Sequence, residues 1–385
     1  MIRRTVPQKT ISKETNLSGV GLHTGEHVNI TFKPAPADTG LVFVREDIEG
    51  DNLINAHIKY ISNTDRGTNL DNGSFRIHTS EHVLAAITGL EIDNCFICLD
   101  GPEVPIMDGS SKFFVNALEE AKIIEQNVLR EEFFPSEPIS YVCEDSGSKI
   151  SIIPDDNYKV NTIVDYKTKV LGEQEASINH ISEFKEEISS ARTFSFLHEL
   201  ETLLENGLIK GGDLNNAIVY VDKPLAESNM DILKKAFNKD SISVKANGIL
   251  DNLDLHYPNE AARHKLLDVI GDLALIGMKI RGKVIAEKPG HSINAKFAEK
   301  ISEVIKSDRK NTLPKIDFSK NPLMDSDQIM KIIPHRPPFL LIDEVLEISE
   351  SHVIGLRRVE EDESWVEGHF PGAPVMPGVL QVEFM

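Results

Sequence analysis

Glu81-His-Val-Leu-Ala-Ala-Ile-Thr-Gly89 and, far downstream, Arg263-His-Lys-Leu-Leu-Asp-Val-Ile-Gly-Asp272 are two versions of one pattern. His82 is followed by Leu84 at +2 and Gly89 at +7, and His264 by Leu266 at +2 and Gly271 at +7. Both runs carry apolar residues at helical spacing. Each then gives way to a strand and a Gly-led turn: Asp93-Asn-Cys-Phe-Ile-Cys-Leu runs to Met107-Asp-Gly-Ser-Ser, and Gly277-Met-Lys-Ile-Arg-Gly-Lys-Val-Ile-Ala runs to Pro289-Gly-His-Ser-Ile-Asn. Self-similarity of this kind suggests an internal repeat, in which two related halves each bring one His to a shared cleft.

On a helix, residues four apart lie on one face about one turn from each other. His264 and Asp268 can therefore hold one ion, and Asp272 continues the stripe. With His82, Glu81 beside it and His291 downstream, the chain offers three metal ligands, a base and an acid. Metal-assisted hydrolysis needs this set, because catalytic zinc takes three protein ligands and leaves the fourth position to water, which the ion acidifies. By itself a His and an Asp at this spacing is also an ordinary helix-surface pair. Two His and one carboxylate also fit a non-haem Fe(II) oxygenase, but Glu81 adjacent to a ligand and His291 as an acid favour hydrolysis. A catalytically silent binding module is the third reading, disfavoured by the intact set.

At 385 residues the chain has room for two or three domains and a sizeable core. With 40% apolar and 26% charged residues, and no run of 18 apolar ones, it reads as soluble and globular, without a transmembrane segment. Met1-Ile-Arg-Arg-Thr-Val-Pro-Gln-Lys9 carries positive charge but no apolar stretch of a secretory signal. The formal charge, 41 minus 61 or −20, argues against general nucleic-acid binding, so any anionic substrate must be met by local cations. Three cysteines fit a reducing cytoplasm. Cys95 and Cys98 have CxxC spacing, yet they sit in a strand-like run where positions i and i+3 face opposite sides.

Along the chain, strands are expected at 27–32 and 41–45, then the His82 helix, a strand, and a helix from Ser111 to about Ile124. The pattern breaks over Gln126-Asn-Val-Leu-Arg130 and restarts with strands at 149–153 and 158–166. A helix from Phe196 is expected to end at Gly207, a good C-cap. The charged, Pro-containing stretch 306–325 reads as a linker. The expected class is α+β, with two related two-layer α/β sandwich domains over 1–126 and 127–305 and a further segment over 326–385.

Seven motifs sharpen this reading: Ser18-Gly-Val-Gly-Leu-His-Thr-Gly25, Thr79-Ser-Glu-His-Val-Leu-Ala-Ala86, Pro102-Glu-Val-Pro-Ile-Met-Asp-Gly-Ser110, Ala191-Arg-Thr-Phe194, Leu208-Ile-Lys-Gly-Gly212, Arg263-His-Lys-Leu-Leu-Asp-Val-Ile-Gly-Asp-Leu273 and Lys288-Pro-Gly-His-Ser-Ile-Asn-Ala-Lys296. In this order, over about residues 1–305, the chain resembles the UDP-3-O-acyl-N-acetylglucosamine deacetylases of lipid A biosynthesis. The resemblance implies a Zn²⁺ cofactor held by His82, His264 and Asp268, with Glu81 as base toward the attacking water and His291 as the acid that protonates the leaving amine. Asp272 would hydrogen-bond His291, Thr193 would help stabilise the oxyanion, Phe194 would pack on the sugar and Lys265 would face the diphosphate. An acyl passage is expected near 196–208. The Gly-rich segment lacks the P-loop ending and reads as a tight turn that flanks the cleft in the family, with His23 lining the site.

Ile333-Pro-His-Arg-Pro-Pro-Phe-Leu-Leu-Ile-Asp-Glu-Val345 and Glu367-Gly-His-Phe-Pro-Gly-Ala-Pro-Val-Met-Pro-Gly-Val-Leu-Gln-Val-Glu383 resemble the hot-dog-fold 3-hydroxyacyl-[acyl-carrier-protein] dehydratases. That implies His369 as base toward the C2 proton, Glu383 as donor to the leaving hydroxyl, and the Gly378 N–H polarising the thioester of an acyl-carrier-protein substrate. A Glu at 383 favours this type over the isomerase-capable relative that uses Asp. The family's central helix begins near Gly378 and the sequence stops at Met385, so an incomplete hot-dog domain is expected, with dimer sites and activity only in a longer chain. The whole reads as a bifunctional chain, deacetylase first and dehydratase second.

Overall fold

Alternation in His27-Val-Asn-Ile-Thr-Phe turns Val28, Ile30 and Phe32 to one side, where each is fully buried. The same period buries Tyr158, Val160, Thr162 and Val164 in the strand Tyr158–Asp165. These strands belong to two five-stranded sheets in the computed structural model, which describes residues 1–198, 216–222, 243–250, 253–311, 316, 318, 321–349 and 352–384. The first sheet runs, in spatial order, Thr15–Val20, His27–Pro34, Cys95–Leu99, Leu41–Arg45, Leu53–Asn55. The second runs Ile139–Cys143, Ser148–Ile153, Gly282–Glu287, Tyr158–Asp165, Glu173–Ile178. In each, the strand latest in sequence is the central one, antiparallel to one neighbour and parallel to the other. The two sheets therefore share one topology.

Each half contributes a helix just before its central strand and another after it. In the first half these are α1 (Glu81–Gly89) and α2 (Lys112–Glu120); in the second, α3 (Glu260–Ala274) and α4 (His291–Asn311). All nine residues of α1 are buried, as expected of a helix apolar all round, because α1 packs on α3 and also touches α2. Gly271 sets the α1–α3 approach: a Cβ there would lie 2.1 Å from the Glu81 carbonyl oxygen. A contiguous apolar core includes Val83, Leu84, Leu266, Leu267 and Ile270 from these two helices and strand residues from both sheets.

Several boundaries depart from the sequence reading. The helix starting after Ser111 ends at Glu120, because Lys122 turns with φ of 60° into a strand. That strand, Ile123–Phe133, includes the stretch read as a break and pairs antiparallel with Ile2–Ile11 through two register shifts. Its outward Glu and Asn residues hide the strand period. The run 277–286 is not one strand: Lys279–Ile280 pairs with Glu132–Phe133, and the chain then enters the second sheet at Gly282. The 196–207 helix, the Leu208–Gly212 motif and the acyl passage lie outside the described residues beyond His198.

Residues Met1–Asn311 form one compact unit and Thr312–Met385 another. The second unit has a three-stranded sheet ordered Met324–Asp325, Glu344–Ile348, Val353–Leu356, with Ile329, Leu340 and Val345 as its small core. Its helix Ser326–Ile329 starts in a capping box between Asp325 and Gln328. The class is thus mixed α+β with several sheets. No helix among the described residues is long and apolar enough to cross a membrane.

Candidate active site

α1 and α3 cross with their polar residues converging, and three of these carry potential metal-ligand atoms that lie within 4.8 Å of one another: His82, His264 and Asp268, all buried. Asp268 Oδ1 lies 3.5 Å from His264 Nε2 and 3.9 Å from His82 Nε2. The His264 ring is aimed by its other nitrogen, since Nδ1 lies 3.1 Å from the Ala191 carbonyl, an outer contact of the kind that fixes ligating imidazoles. Asp268 Oδ1 is buried and lacks a hydrogen-bond partner, which a buried acceptor tolerates only at a cost unless something else fills the role. His82 Nδ1 is likewise unpartnered. Burial pushes the His82 imidazole down to about 3 and lowers His264 as well, so both are neutral and able to donate lone pairs. Burial opposes the charge on Asp268, but the Lys265 ammonium and the His291 cation hold its carboxyl below the usual range. Two neutral imidazoles and a carboxylate with a free oxygen suit a divalent metal of the zinc type.

Glu81 and His291 belong to the same centre. Burial raises the Glu81 carboxyl to about 7, with the His291 charge pulling it back and Asp272 and Asp268 adding to the rise. His291 moves oppositely in charge terms: burial works against its cationic form, yet Asp272 and Asp268 raise it to about 9. Its Nδ1 lies 2.9 Å from Asp272 Oδ2 and its Nε2 3.9 Å from Asp268 Oδ2. A proton acceptor near neutrality thus sits with a persistent cation in one pocket, the separation of roles expected of paired acid and base groups.

Two residues given no role in the sequence reading complete the arrangement. Thr68 donates its N–H to Glu81 Oε2 at 2.9 Å and its hydroxyl to Asp272 Oδ1 at 2.5 Å. Asn294 Nδ2 donates to Asp272 Oδ2 at 2.8 Å. Asn294 lies one turn after His291 on α4, a spacing that could have revealed it. Thr68 carries no such signal, being 204 positions from Asp272.

Of the remaining first-unit residues, Lys265 and Phe194 contact the centre. Lys265 Nζ is 2.8 Å from Asp268 Oδ2 and 5.7 Å from the Phe194 ring centre; burial works against its ammonium, but Asp268 keeps it charged. Phe194 stands edge-on to His264 at 6.3 Å between ring centres. Thr193 is half-buried and held by its backbone, donating to Gly109 O at 2.8 Å and accepting from Ile218 N at 2.9 Å. His23 sits in the Gly-rich turn, where the fully buried Glu103 carboxylate accepts from the His23 and Thr24 N–H groups and the Thr79 hydroxyl. Cys95 and Cys98 are both buried, and burial pushes their thiols up to about 12 and about 11.

In the second unit a short helix begins at Gly378. His369 Nδ1 lies 2.7 Å from the Val375 carbonyl, while Glu383 Oε1 lies 3.5 Å from His335 Nε2. Among the described residues no hydrogen bond or ion pair joins His369 to Glu383.

Both units match known families. The family model for UDP-3-O-acyl N-acetylglycosamine deacetylase matches residues 8–232 and 226–303, and that for the FabA-like domain matches 333–385. The chain is 43% identical over 378 residues to the bifunctional enzyme LpxC/FabZ of Porphyromonas gingivalis, covering 98% of this chain and 82% of the relative. Against the bifunctional enzyme LpxC/FabZ of Bacteroides thetaiotaomicron it is 41% identical over 378 residues, with the same coverage. The UDP-3-O-acyl-N-acetylglucosamine deacetylase of Myxococcus xanthus is 37% identical over 295 residues, which is 76% of this chain and 86% of that protein.

Proposed function

This chain belongs to the UDP-3-O-acyl N-acetylglycosamine deacetylase family, and from that premise we propose that Glu81 and His291 act as base and acid beside a zinc ion held by His82, His264 and Asp268. The function is deacetylation of UDP-3-O-acyl-N-acetylglucosamine on the route to lipid A, joined in one chain to a FabZ-like dehydratase part. The observation that carries the residue assignment is the convergence of three ligand atoms within 4.8 Å, with a carboxyl raised to about 7 and an imidazole raised to about 9 in the same buried pocket.

When bound, zinc supplies a Lewis acid that polarises the amide carbonyl and acidifies water. Glu81 accepts the proton of the attacking water as its oxygen bonds to the acetyl carbon. Thr193 stands by the carbonyl oxygen as negative charge builds there. The carbon–nitrogen bond then breaks with the electron pair going to nitrogen, which takes the Nε2 proton of His291. Because Asp272 engages Nδ1, Nε2, which makes no hydrogen bond among the described residues, is the end that gives up its proton. Acetate and the sugar amine leave, and the protons on Glu81 and His291 re-equilibrate with solvent. Phe194 offers an apolar face to the sugar, Lys265 a cation to the diphosphate, and His23 a polar group at the rim; these placements rest on the family pattern.

For the second unit we propose the hot-dog reading, with His369 as base, Glu383 as proton donor, the Gly378 N–H on the thioester carbonyl and acyl-carrier protein as partner. Both activities act on the fate of 3-hydroxyacyl groups in the cytoplasm. The primary test is metal content read beside amide hydrolysis. Chelation is expected to abolish deacetylation and sub-stoichiometric Zn²⁺ to restore it; full activity in metal-free protein would remove the assignment.

A further inference from the structure

We propose that Thr68 is a positioning residue for deacetylation, holding the general base and the orienter of the general acid in one fixed geometry; this rests on the hydrolase reading above. One residue touches both. Its N–H donates to Glu81 Oε2 at 2.9 Å, and its hydroxyl donates to Asp272 Oδ1 at 2.5 Å, while Asp272 Oδ2 lies 2.9 Å from His291 Nδ1. A continuous chain of hydrogen bonds therefore runs from Glu81 through Thr68 and Asp272 to His291.

Thr68 is 1% exposed and is itself clamped. Its carbonyl accepts the Ser80 N–H at 3.1 Å and the Ser80 hydroxyl at 2.7 Å, which ties it to the residue just before α1. The base is thus referenced to the same backbone that carries it, and the hydroxyl extends that reference to α3. A hydroxyl-to-carboxylate contact of this length is a charge-assisted hydrogen bond, stronger and more directional than a neutral one. Thr68 leaves Glu81 Oε1 without a hydrogen-bond partner among the described residues, so one oxygen is anchored and the other is available for the proton. On Asp272, Asn294 and His291 share Oδ2, and the Thr68 hydroxyl accounts for Oδ1. Without it the carboxylate could rotate, and the imidazole with it.

The test is Thr68→Val against Thr68→Ser in zinc-loaded full-length protein, measuring kcat, KM and zinc content. Val keeps the shape and the N–H contact but removes the hydroxyl, and is expected to lower kcat about 10- to 100-fold, the usual cost of losing an outer hydrogen bond that orients a reactive group. KM is expected to stay within about twofold and zinc near one per chain, since no substrate or metal contact is removed. Ser restores the hydroxyl and should recover most of kcat. The proposal is overturned if Val keeps kcat, if Ser loses as much as Val, or if the loss falls on KM or on zinc instead. Should Val fail to fold, Thr68→Ala against Thr68→Ser makes the same comparison with the extra methyl removed from both. Glu81→Gln separates the two levels: activity surviving in that variant defeats the hydrolase roles, whereas an inactive Glu81→Gln beside a fully active Thr68→Val defeats only the role of Thr68.

Discussion

Gly271→Ala is the most informative single methyl in the molecule. Alanine is the better helix former by about 1 kcal/mol, so a view of α3 as an isolated helix expects stabilisation. The structure predicts the reverse. A Cβ at 271 would sit 2.1 Å from the Glu81 carbonyl oxygen and 2.9 Å from its carbonyl carbon, whereas ordinary contact begins at 3.4 Å; the shortfall, 3.4 less 2.1, is 1.3 Å. The obstacle is backbone, so no rotamer change relieves it and α1 must move. Overpacking of this kind costs about 1–3 kcal/mol. With the propensity gain subtracted, a net loss of up to about 2 kcal/mol is expected, or several degrees in Tm for a unit of this size. Because Glu81 and His82 ride on α1, a shift near 1 Å also misplaces the proposed base and a proposed metal ligand, an error that can cost about 10²-fold in rate. Gly89→Ala is the control. Its Cβ would meet the Phe184 ring at 2.1 Å, at the far end of α1, so stability should fall while most of kcat survives. Differential scanning calorimetry with kcat and zinc content decides it. A raised Tm for Gly271→Ala, or unchanged kcat, would show that the helix crossing does not set the site.

Glu81→Gln is expected to keep about one zinc per chain and to lose roughly 10² to 10⁴ in kcat, the range for a positioned proton-transfer group; His264→Ala should lose the metal instead, and metal analysis separates the two. The pH–rate profile should fall on the acid side as Glu81 gains its proton, at a pH below its metal-free value of about 7 because a nearby dication favours the carboxylate. It should fall on the alkaline side as His291 loses its proton near 9, and a limb that persists in His291→Ala would assign the acid to another group. In metal-free protein His291 is raised above its ordinary 6.5, so its charge adds stability that is fully present below that pH and is lost as pH climbs through about 9; thermal melts of wild type and His291→Gln should converge there. Arg192→Ala should destabilise the first unit by about 3–5 kcal/mol, since it strands the fully buried Glu260 carboxylate that Arg192 Nε contacts at 2.8 Å.

How far the site could be read from sequence follows from where its signals lie. His264, Asp268 and Asp272 share a helical stripe, and His82 repeats the offsets of His264, so local periodicity alone brings most of the proposed ligand set together. Thr68 could not be found that way, because its contacts join a loop to two helices from different halves. The strand Ile123–Phe133 escaped for another reason: its burial is irregular, mixing exposed Glu and Asn with buried Arg130 and Glu132, so neither the strand nor the helix period shows. Arg130 is buried only because Asp93 and Glu91 meet its guanidinium, a pairing no local pattern announces. The helix beginning at Lys112 ran short because Lys122 takes a left-handed turn without a Gly to mark it.

The two halves share a sheet topology, yet the chemistry placed on it is unequal, and electrostatics accounts for the inequality. The offset that puts Asp268 four residues after His264 puts Ala86 four after His82, and the position before each His is Glu81 in one half and Arg263 in the other. Had both halves carried the second-half set, two buried carboxylates would face one ion with no room for a separate base, and each would raise the other's pKa. In the proposed assignment the first half instead gives one ligand and the base, and the second gives two ligands and the orienter of the acid. Arg263 is drawn off to the side, where its guanidinium contacts Glu187, Asn259 and the Tyr257 ring, so it adds no second cation beside Lys265. It follows that Arg263→Glu, which makes the second half resemble the first, should leave zinc content intact and cost stability through Glu187 rather than activity. A large loss of kcat at preserved Tm would place Arg263 within the field of the site and overturn this division of roles.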